Sequence, residues 1–275
     1  MIAAAWSWLE FALLALAIGA GGWRLTREAD ALAERLALSR TWIGVTLVAT
    51  VTSLPELASG ISAVTIADAP DIAVGNALGA CVTNLAFLVV VDLLVRGNPL
   101  YRQASQGHIL AAGFGVAMLG IVAAAVIAGQ GVPGAAWGDG RWPGFGATTP
   151  VLLLIYVVAM RTVYAHEHAN ARDDADARPR RDPRWRAHAL RFALAALVVL
   201  AAGTRLPFVA GDIADAMRWS DSFVGAVFVA ATTTLPEMAV TLAAVRVGAL
   251  DLAIGNLLGS NLFNVAIVAI DDIFY

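Results

Sequence analysis

The chain has 275 residues, 59% of them hydrophobic and only 14% charged, with a mean hydropathy of +0.74. A soluble domain carries about 25% charged residues, so the composition excludes a soluble protein and predicts an all-α, polytopic membrane protein that lives in a lipid bilayer. A net charge of −3 without a basic tract excludes nucleic acid as a partner, and the single cysteine, Cys81, excludes an intrachain disulfide.

Crossing the hydrocarbon takes about 20 apolar residues. Segments of that kind run at about 3–22, 42–67, 72–95, 107–128, 149–164, 190–210, 222–247 and 250–274, which predicts eight spans. The first lacks a basic leader and a small-residue cleavage site, so it reads as a span rather than a signal peptide. The stretch "HEHANARDDADARPRRDPRWRAH" at 166–188 is rich in Arg, Asp and Pro and predicts a solvated loop. It separates a first membrane half, 1–165, from a second, 189–275. All eighteen basic residues are arginine. With the N-terminus outside, fifteen fall on inner loops, and Arg141, Arg205 and Arg218 fall on outer ones. Basic residues concentrate on cytoplasmic loops. The expected orientation is therefore N-terminus out, with the 166–188 loop in the cytoplasm, and the expected location is a bacterial inner (plasma) membrane.

The second and seventh spans share an unusual core, "TSLPE" at 52–56 and "TTLPE" at 233–237. Residues 52–64 and 233–245 agree at seven of thirteen positions, and "GNALGACVTN" (75–84) agrees with "GNLLGSNLFN" (255–264) at five of ten. Two blocks in the same order define an internal repeat, in 42–95 and again in 222–274. Five spans separate the copies, an odd number, so they run in opposite directions through the membrane. Inverted-topology repeats of this kind build many secondary transporters.

Proline inside a helix removes a backbone hydrogen bond and clashes with the carbonyl four residues back. Pro55 is expected to free the carbonyl of Val51, and Pro236 that of Thr232. Ala49, Thr52, Ser53 and Glu56 are spaced i, i+3, i+4, i+7, which is one helix face; Ala230, Thr233, Thr234 and Glu237 repeat it. Asn76, Ala80 and Asn84 form a second column, matched by Asn256, Ser260 and Asn264. A two-fold axis in the membrane plane would bring the Glu stripes face to face. Six to eight oxygens suit Ca²⁺, and one divalent ion neutralises both carboxylates. An ionised group at mid-membrane costs several kcal/mol or more, so a centre with two bare Glu should resist switching between its two sides, and loading should permit it. That is antiport.

The paired Pro-Glu and Gly-Asn motifs resemble the α-repeats of the sodium/calcium exchanger family. The resemblance implies that Glu56 and Glu237 coordinate Ca²⁺ and Na⁺. It also implies that the hydroxyl and carbonyl ligands fall on Ala49, Thr52, Ser53, Ala230, Thr233 and Thr234, with Ser260, Asn84 and Asn264 completing the metal-binding set. No cofactor is implied beyond the transported ions, Ca²⁺ with Na⁺ as counter-ion. The chain departs from the family at Ala80-Cys81, where the second copy keeps Ser260-Asn261, and at Asn264, where many prokaryotic members carry Asp. Fewer ligand oxygens bear on the counter-ion, so a proton-coupled or K⁺-dependent exchanger of Ca²⁺ or another divalent ion is the alternative, with a cation channel behind it. The family has ten helices, so two further spans are expected after Tyr275.

Other features have blander readings. Gly75/Gly79 and Gly255/Gly259 are helix-contact motifs. Asp92, Asp271 and Asp272 near helix ends, and His108 at the start of a span, are expected at the water interface. His166 and His168 flank Glu167 in the polar loop. No His-Glu-x-x-His or Gly-x-Ser-x-Gly motif is present, so an enzyme is not expected.

Overall fold

Backbone polar groups in hydrocarbon are satisfied within helices or closed barrels, and every element among the described residues is helical. The structure, a computed structural model, describes residues 2–36, 49–95, 102, 104–131, 146–170 and 185–275. In chain order the elements are α1 (Ile2–Leu36), α2 (Ala49–Thr52), α3 (Leu54–Thr65), α4 (Pro70–Leu94), α5 (Gln106–Gly131), α6 (Thr148–Asn170), α7 (Trp185–Met217), α8 (Asp221–Val224), a π-helical turn (Gly225–Val229), α9 (Ala230–Thr233), α10 (Leu235–Arg246) and α11 (Leu250–Phe274). Six of these, α1, α4, α5, α6, α7 and α11, are long and apolar enough to cross a membrane. The run from α8 to α10 makes a seventh span, bent by 44° at Thr234. Of the expected second span, residues from Ala49 onward form α2 and α3, while 42–48 lie outside the described residues. The polar stretch expected as a loop over 166–188 is helical at both ends, because α6 continues to Asn170 and α7 starts at Trp185.

The repeat is visible in the backbone. The second span breaks at Ser53 and the seventh at Thr234, the same repeat position. Pro55 and Pro236 stand in the first turn of the helix that follows each break. There the missing N–H costs no intrahelical bond and the fixed φ suits the helix. The turns into α4 and α11 also correspond: Asp68 (φ 50°) and Gly248 (φ 76°) occupy the left-handed region at equivalent places. Asp tolerates that region through its short polar side chain. One difference is the π-helical turn, which the second copy places just before Ala230. Such turns cluster at functional sites.

The long helices α1 and α7 lie side by side and dock on the breaks crosswise. A Cβ on Gly22 of α1 would collide with the ring of Pro236, and one on Gly203 of α7 would lie 3.1 Å from the Pro55 carbonyl oxygen. Bare backbone at these two positions lets each long helix sit against the proline of the other repeat. They are also tied by Arg205 to Glu10 at 2.7 Å and, further along α1, by His188 to buried Glu28 at 2.5 Å, with Arg24 of α1 on the same carboxylate at 2.9 Å. Trp8, Phe11, Trp219, Phe223 and Phe228 form an aromatic cluster with ring centroids 5.4–6.4 Å apart. Clusters of this type mark a membrane–water boundary.

Helix α11 is the most enclosed element, buried along nearly its whole length. Its apolar side joins Cys81 of α4, Met118 of α5 and Leu152 of α6 in one core. Its start is fixed by His108, which was expected at the interface but is 2% exposed. The Ser105 N–H donates to His108 Nδ1 at 3.1 Å, leaving Nε2–H to donate to the Asp251 carbonyl at 3.1 Å. Asp92 is exposed, as expected. Asp271 and Asp272 are not: they are 3% and 4% exposed, because this turn of α11 packs against α3 and the start of α6.

The helix-contact reading holds for Gly75 and Gly79, which bring α4 onto the π-helical turn. A Cβ on Gly79 would overlap the backbone of Ala226. Replacing Gly79 with Ala is expected to destabilise the detergent-solubilised protein by about 1–3 kcal/mol, the usual cost of overpacking. The same change at Gly113, where a Cβ would meet nothing within 4 Å, is expected to be neutral in the same thermal-unfolding assay.

Candidate functional site

The two breaks place Glu56 and Glu237 in the first turns of α3 and α10. A helix N-terminus carries a partial positive charge and unpaired N–H groups, which favour a carboxylate there. Both side chains are fully buried, and Ser53, three residues before Glu56, reaches Glu237 Oε1 at 2.9 Å, which brings the two breaks together. Thr52, Ser53, Thr233, Thr234, Ser260, Asn84 and Asn264 are each 0% exposed, and Ala49 and Ala230 are buried beside them. The whole predicted set therefore lies in the interior of the bundle.

The two carboxylates are served unequally. Glu237 Oε1 accepts hydrogen bonds from Ser53 Oγ at 2.9 Å and Ser260 Oγ at 3.4 Å. Glu56 accepts none on either oxygen. By repeat position the partners of Ser53 and Ser260 are Thr234 and Ala80. Thr234 donates to the Ala230 carbonyl at 2.8 Å, and Ala80 has no hydroxyl to give. Thr233, a neighbour of Glu56, donates to Asn76 Oδ1 at 3.0 Å. The carbonyls expected as ligands are already in use. Ala49 O accepts from Thr52 Oγ1 and the Ser53 N–H, and Ala230 O from both Thr233 and Thr234 hydroxyls.

Asparagines link the repeats. Asn84 Nδ2 donates to Asn261 Oδ1 at 3.1 Å, and Asn261 Nδ2 donates to the Cys81 carbonyl at 3.4 Å. The mirror partner of Asn84 is Asn264, and the mirror of Asn261 is Cys81. A thiol is a poor acceptor, and Asn264 has no partner on either Nδ2 or Oδ1. Asn256 donates to the Glu237 carbonyl at 3.3 Å and to Thr241 Oγ1 at 3.2 Å. Asn261, Cys81 and Thr241 were absent from the expected set. Asn261 alone carried a signal, as the residue after Ser260 in the Gly-Ser-Asn word.

Among the described residues around the two acids, seven buried oxygens lack a hydrogen-bond partner: both of Glu56, Glu237 Oε2, Oδ1 of Asn84, Asn256 and Asn264, and Ser59 Oγ. Buried polar atoms are nearly always paired, and a buried charge without a counter-charge costs several kcal/mol. Among the described residues no three His, Cys, Asp or Glu side chains gather as a metal cluster. The acids here are two, and the remaining donors are neutral oxygens. The unpaired groups are mostly hard oxygens, with the amide nitrogens of Asn76 and Asn264 beside them, and the charge is −2 when both acids are ionised, a set that suits one divalent cation.

Broken, oppositely directed helices around a buried acid pair define a polytopic membrane protein of the inverted-repeat transporter class. The sodium/calcium exchanger protein family matches residues 6–164 and 187–269, and the chain belongs to that family. An uncharacterized membrane protein of Methanocaldococcus jannaschii is 30% identical over 243 residues, 86% of this chain and 71% of its own. Inner membrane protein YrbG of Escherichia coli is 29% identical over 251 residues, 89% of this chain and 72% of its own. The sodium/calcium exchanger MaX1 of Methanosarcina acetivorans is 42% identical over 69 residues, 25% of this chain and 19% of its own. Among solved structures, the sodium-calcium exchanger NCX_Mj soaked with Na⁺ and Sr²⁺ superposes with a TM-score of 0.60 at 24% identity. That match covers 98% of this chain and 83% of the other, and it shows the shared fold.

Ala80 is fully buried beside this set. Ala80→Ser is expected to give Glu56 the hydroxyl that Ser260 gives Glu237. The ion-free protein should gain about 1 kcal/mol or more in thermal unfolding under chelator, in line with a hydrogen bond to a charged group.

Proposed function

We propose that the protein exchanges Ca²⁺ for Na⁺ across the membrane by alternating access at the Glu56/Glu237 centre. One observation carries this reading: two carboxylates buried together among neutral polar side chains, with neither oxygen of Glu56 in a full hydrogen bond. Ca²⁺ takes the pair with Asn84, Asn264 and the hydroxyls of Thr52, Ser53, Thr233, Thr234 and Ser260, several of which must turn from their present carbonyl partners. Na⁺ ions replace it at the same oxygens, and the bare centre is held back by its uncompensated charge. Membership of the sodium/calcium exchanger family supports the reading. The proposed orientation has the N-terminus outside and residues 166–188 in the cytoplasm of a bacterial inner membrane, on the strength of arginine placement. A proton-coupled form is favoured by one feature, the absence of a hydroxyl at Ala80, which leaves Glu56 with one oxygen fewer for a monovalent ion.

Glu56→Gln and Glu237→Gln are each expected to abolish Ca²⁺ binding in calorimetry while the protein stays monodisperse in detergent. Binding at wild-type affinity in either variant overturns the centre. Uptake of radiolabelled Ca²⁺ into proteoliposomes under separate Na⁺, K⁺ and pH gradients is expected to require the Na⁺ gradient. Uptake driven by the pH gradient alone replaces Na⁺ with protons as the counter-ion.

A further inference from the structure

A third carboxylate lies in the interior, outside the predicted set. Asp271 is 3% exposed, and neither of its oxygens has a hydrogen-bond partner. It sits directly on the backbone of α3: a Cβ built on Gly60 would collide with the carboxylate, lying 2.6 Å from Oδ1. Gly60 is one helical turn beyond Glu56 on the same face, about 5.4 Å along the axis. On α11, Asp271 follows Asn264 by seven residues, again on the same face. Ser59, next to Gly60, has a fully buried hydroxyl that is also unpartnered. Unpaired polar atoms thus continue from Glu56 and Asn264 toward the end of the bundle where α6 begins.

The neighbouring acid has a different task. Asp272 Oδ2 accepts from the Gly146 N–H at 2.7 Å and from the Thr149 hydroxyl, which ties α11 to the start of α6. Asp271 makes no such tie. Nor does the repeat require it. Its equivalent in the first copy is Val91, a member of an apolar core, and the equivalent of Gly60 is Thr241, which accepts from Asn256. An acid at this position therefore stands on one side of the centre only.

We infer that the Asp271 carboxylate, seated against Gly60, is a second cation-binding station between the Glu56/Glu237 centre and the end of the bundle where α6 begins. A bare carboxylate in the interior is stabilised by a cation. One acid with few other oxygens holds a hard cation weakly, through some of the ion's own water. Weak holding suits a place of transit, because an ion held tightly there would not move on. The inference rests on the proposed centre.

The test uses the full chain, with Ca²⁺ as the probe. Glu56→Gln removes the tight site and is expected to leave a weak one in calorimetry, which Asp271→Asn in the same background removes. Asp271→Asn alone is expected to keep tight Ca²⁺ binding, while initial uptake into oriented proteoliposomes falls severalfold from one face. Equal uptake from both faces relative to the unaltered chain, or a weak site that survives the double change, overturns the station. Weakened tight binding with both directions slowed alike marks Asp271 as structural and also overturns it. If Glu56→Gln binds Ca²⁺ as tightly as before, the centre fails, and the one-sided uptake of Asp271→Asn alone then decides the station. Should Asn at 271 prevent folding, Asp271→Val, the residue of the first repeat, is measured in the same way.

Discussion

The constraint on which this architecture turns is the burial of two carboxylates beside each other where water and counter-charges are scarce. Burying one ionised carboxylate costs several kcal/mol after relaxation, and a like-charged neighbour adds to that. The fold meets the cost partly with backbone. Each span is interrupted at Ser53 or Thr234, so each Glu falls in the first turn of a new helix, where N–H groups and the helix dipole favour negative charge. An unbroken span would have put the same Glu in mid-helix, where no such end exists. Pro55 and Pro236 belong to this solution: they are placed where a proline is harmless to the helix it starts and incompatible with the helix it interrupts. The breaks in turn need protein around them, since loosened backbone is not tolerated against lipid. Gly203 on Pro55 and Gly22 on Pro236 supply that cover at close range.

The backbone frame is nearly two-fold, and the side chains hung on it are not. Ser260 bonds Glu237 where Ala80 has no hydroxyl to offer, and Ser53 bonds Glu237 where its counterpart Thr234 turns back to the Ala230 carbonyl, so Glu237 receives two hydroxyl bonds and Glu56 none of the kind. Cys81 in the place of Asn261 leaves the Asn264 amide unpaired while Asn84 is held by Asn261. Hydroxyls bonded to one carboxylate stabilise its ionised form and fix its position; an unbonded carboxylate is freer to reorient. The two acids therefore differ. Glu237 is held through one oxygen, whereas both oxygens of Glu56 and the side chain of Asn264, one from each repeat, are left without partners. The π-helical turn Gly225–Val229 lies in the same repeat as Glu237 and is pressed onto α4 through Gly75 and Gly79.

Much of this was legible in the sequence because it is carried by local rules. Apolar run length set the spans. Two similar words at nearly matching offsets revealed the repeat, and the i, i+3, i+4, i+7 stripe put hydroxyls on the face of each Glu. What the sequence could not express is which groups meet across helices. The hydroxyls of Thr52, Thr233 and Thr234 turn back onto carbonyls of their own helix, a choice set by rotamer and neighbour rather than by spacing. His108 reads as interfacial until the start of α11 closes over it. Asp271 is the sharpest instance. A carboxylate near a helix end looks solvated when only its own helix is considered, and its burial depends on Gly60, more than two hundred positions earlier. The absence of a side chain at Gly60 is what admits the carboxylate, and in a chain with 25 glycines that single absence carries no mark of its own. Interior polar atoms are thus readable where both partners sit on one helix, and hidden where one partner is the space left by a missing Cβ.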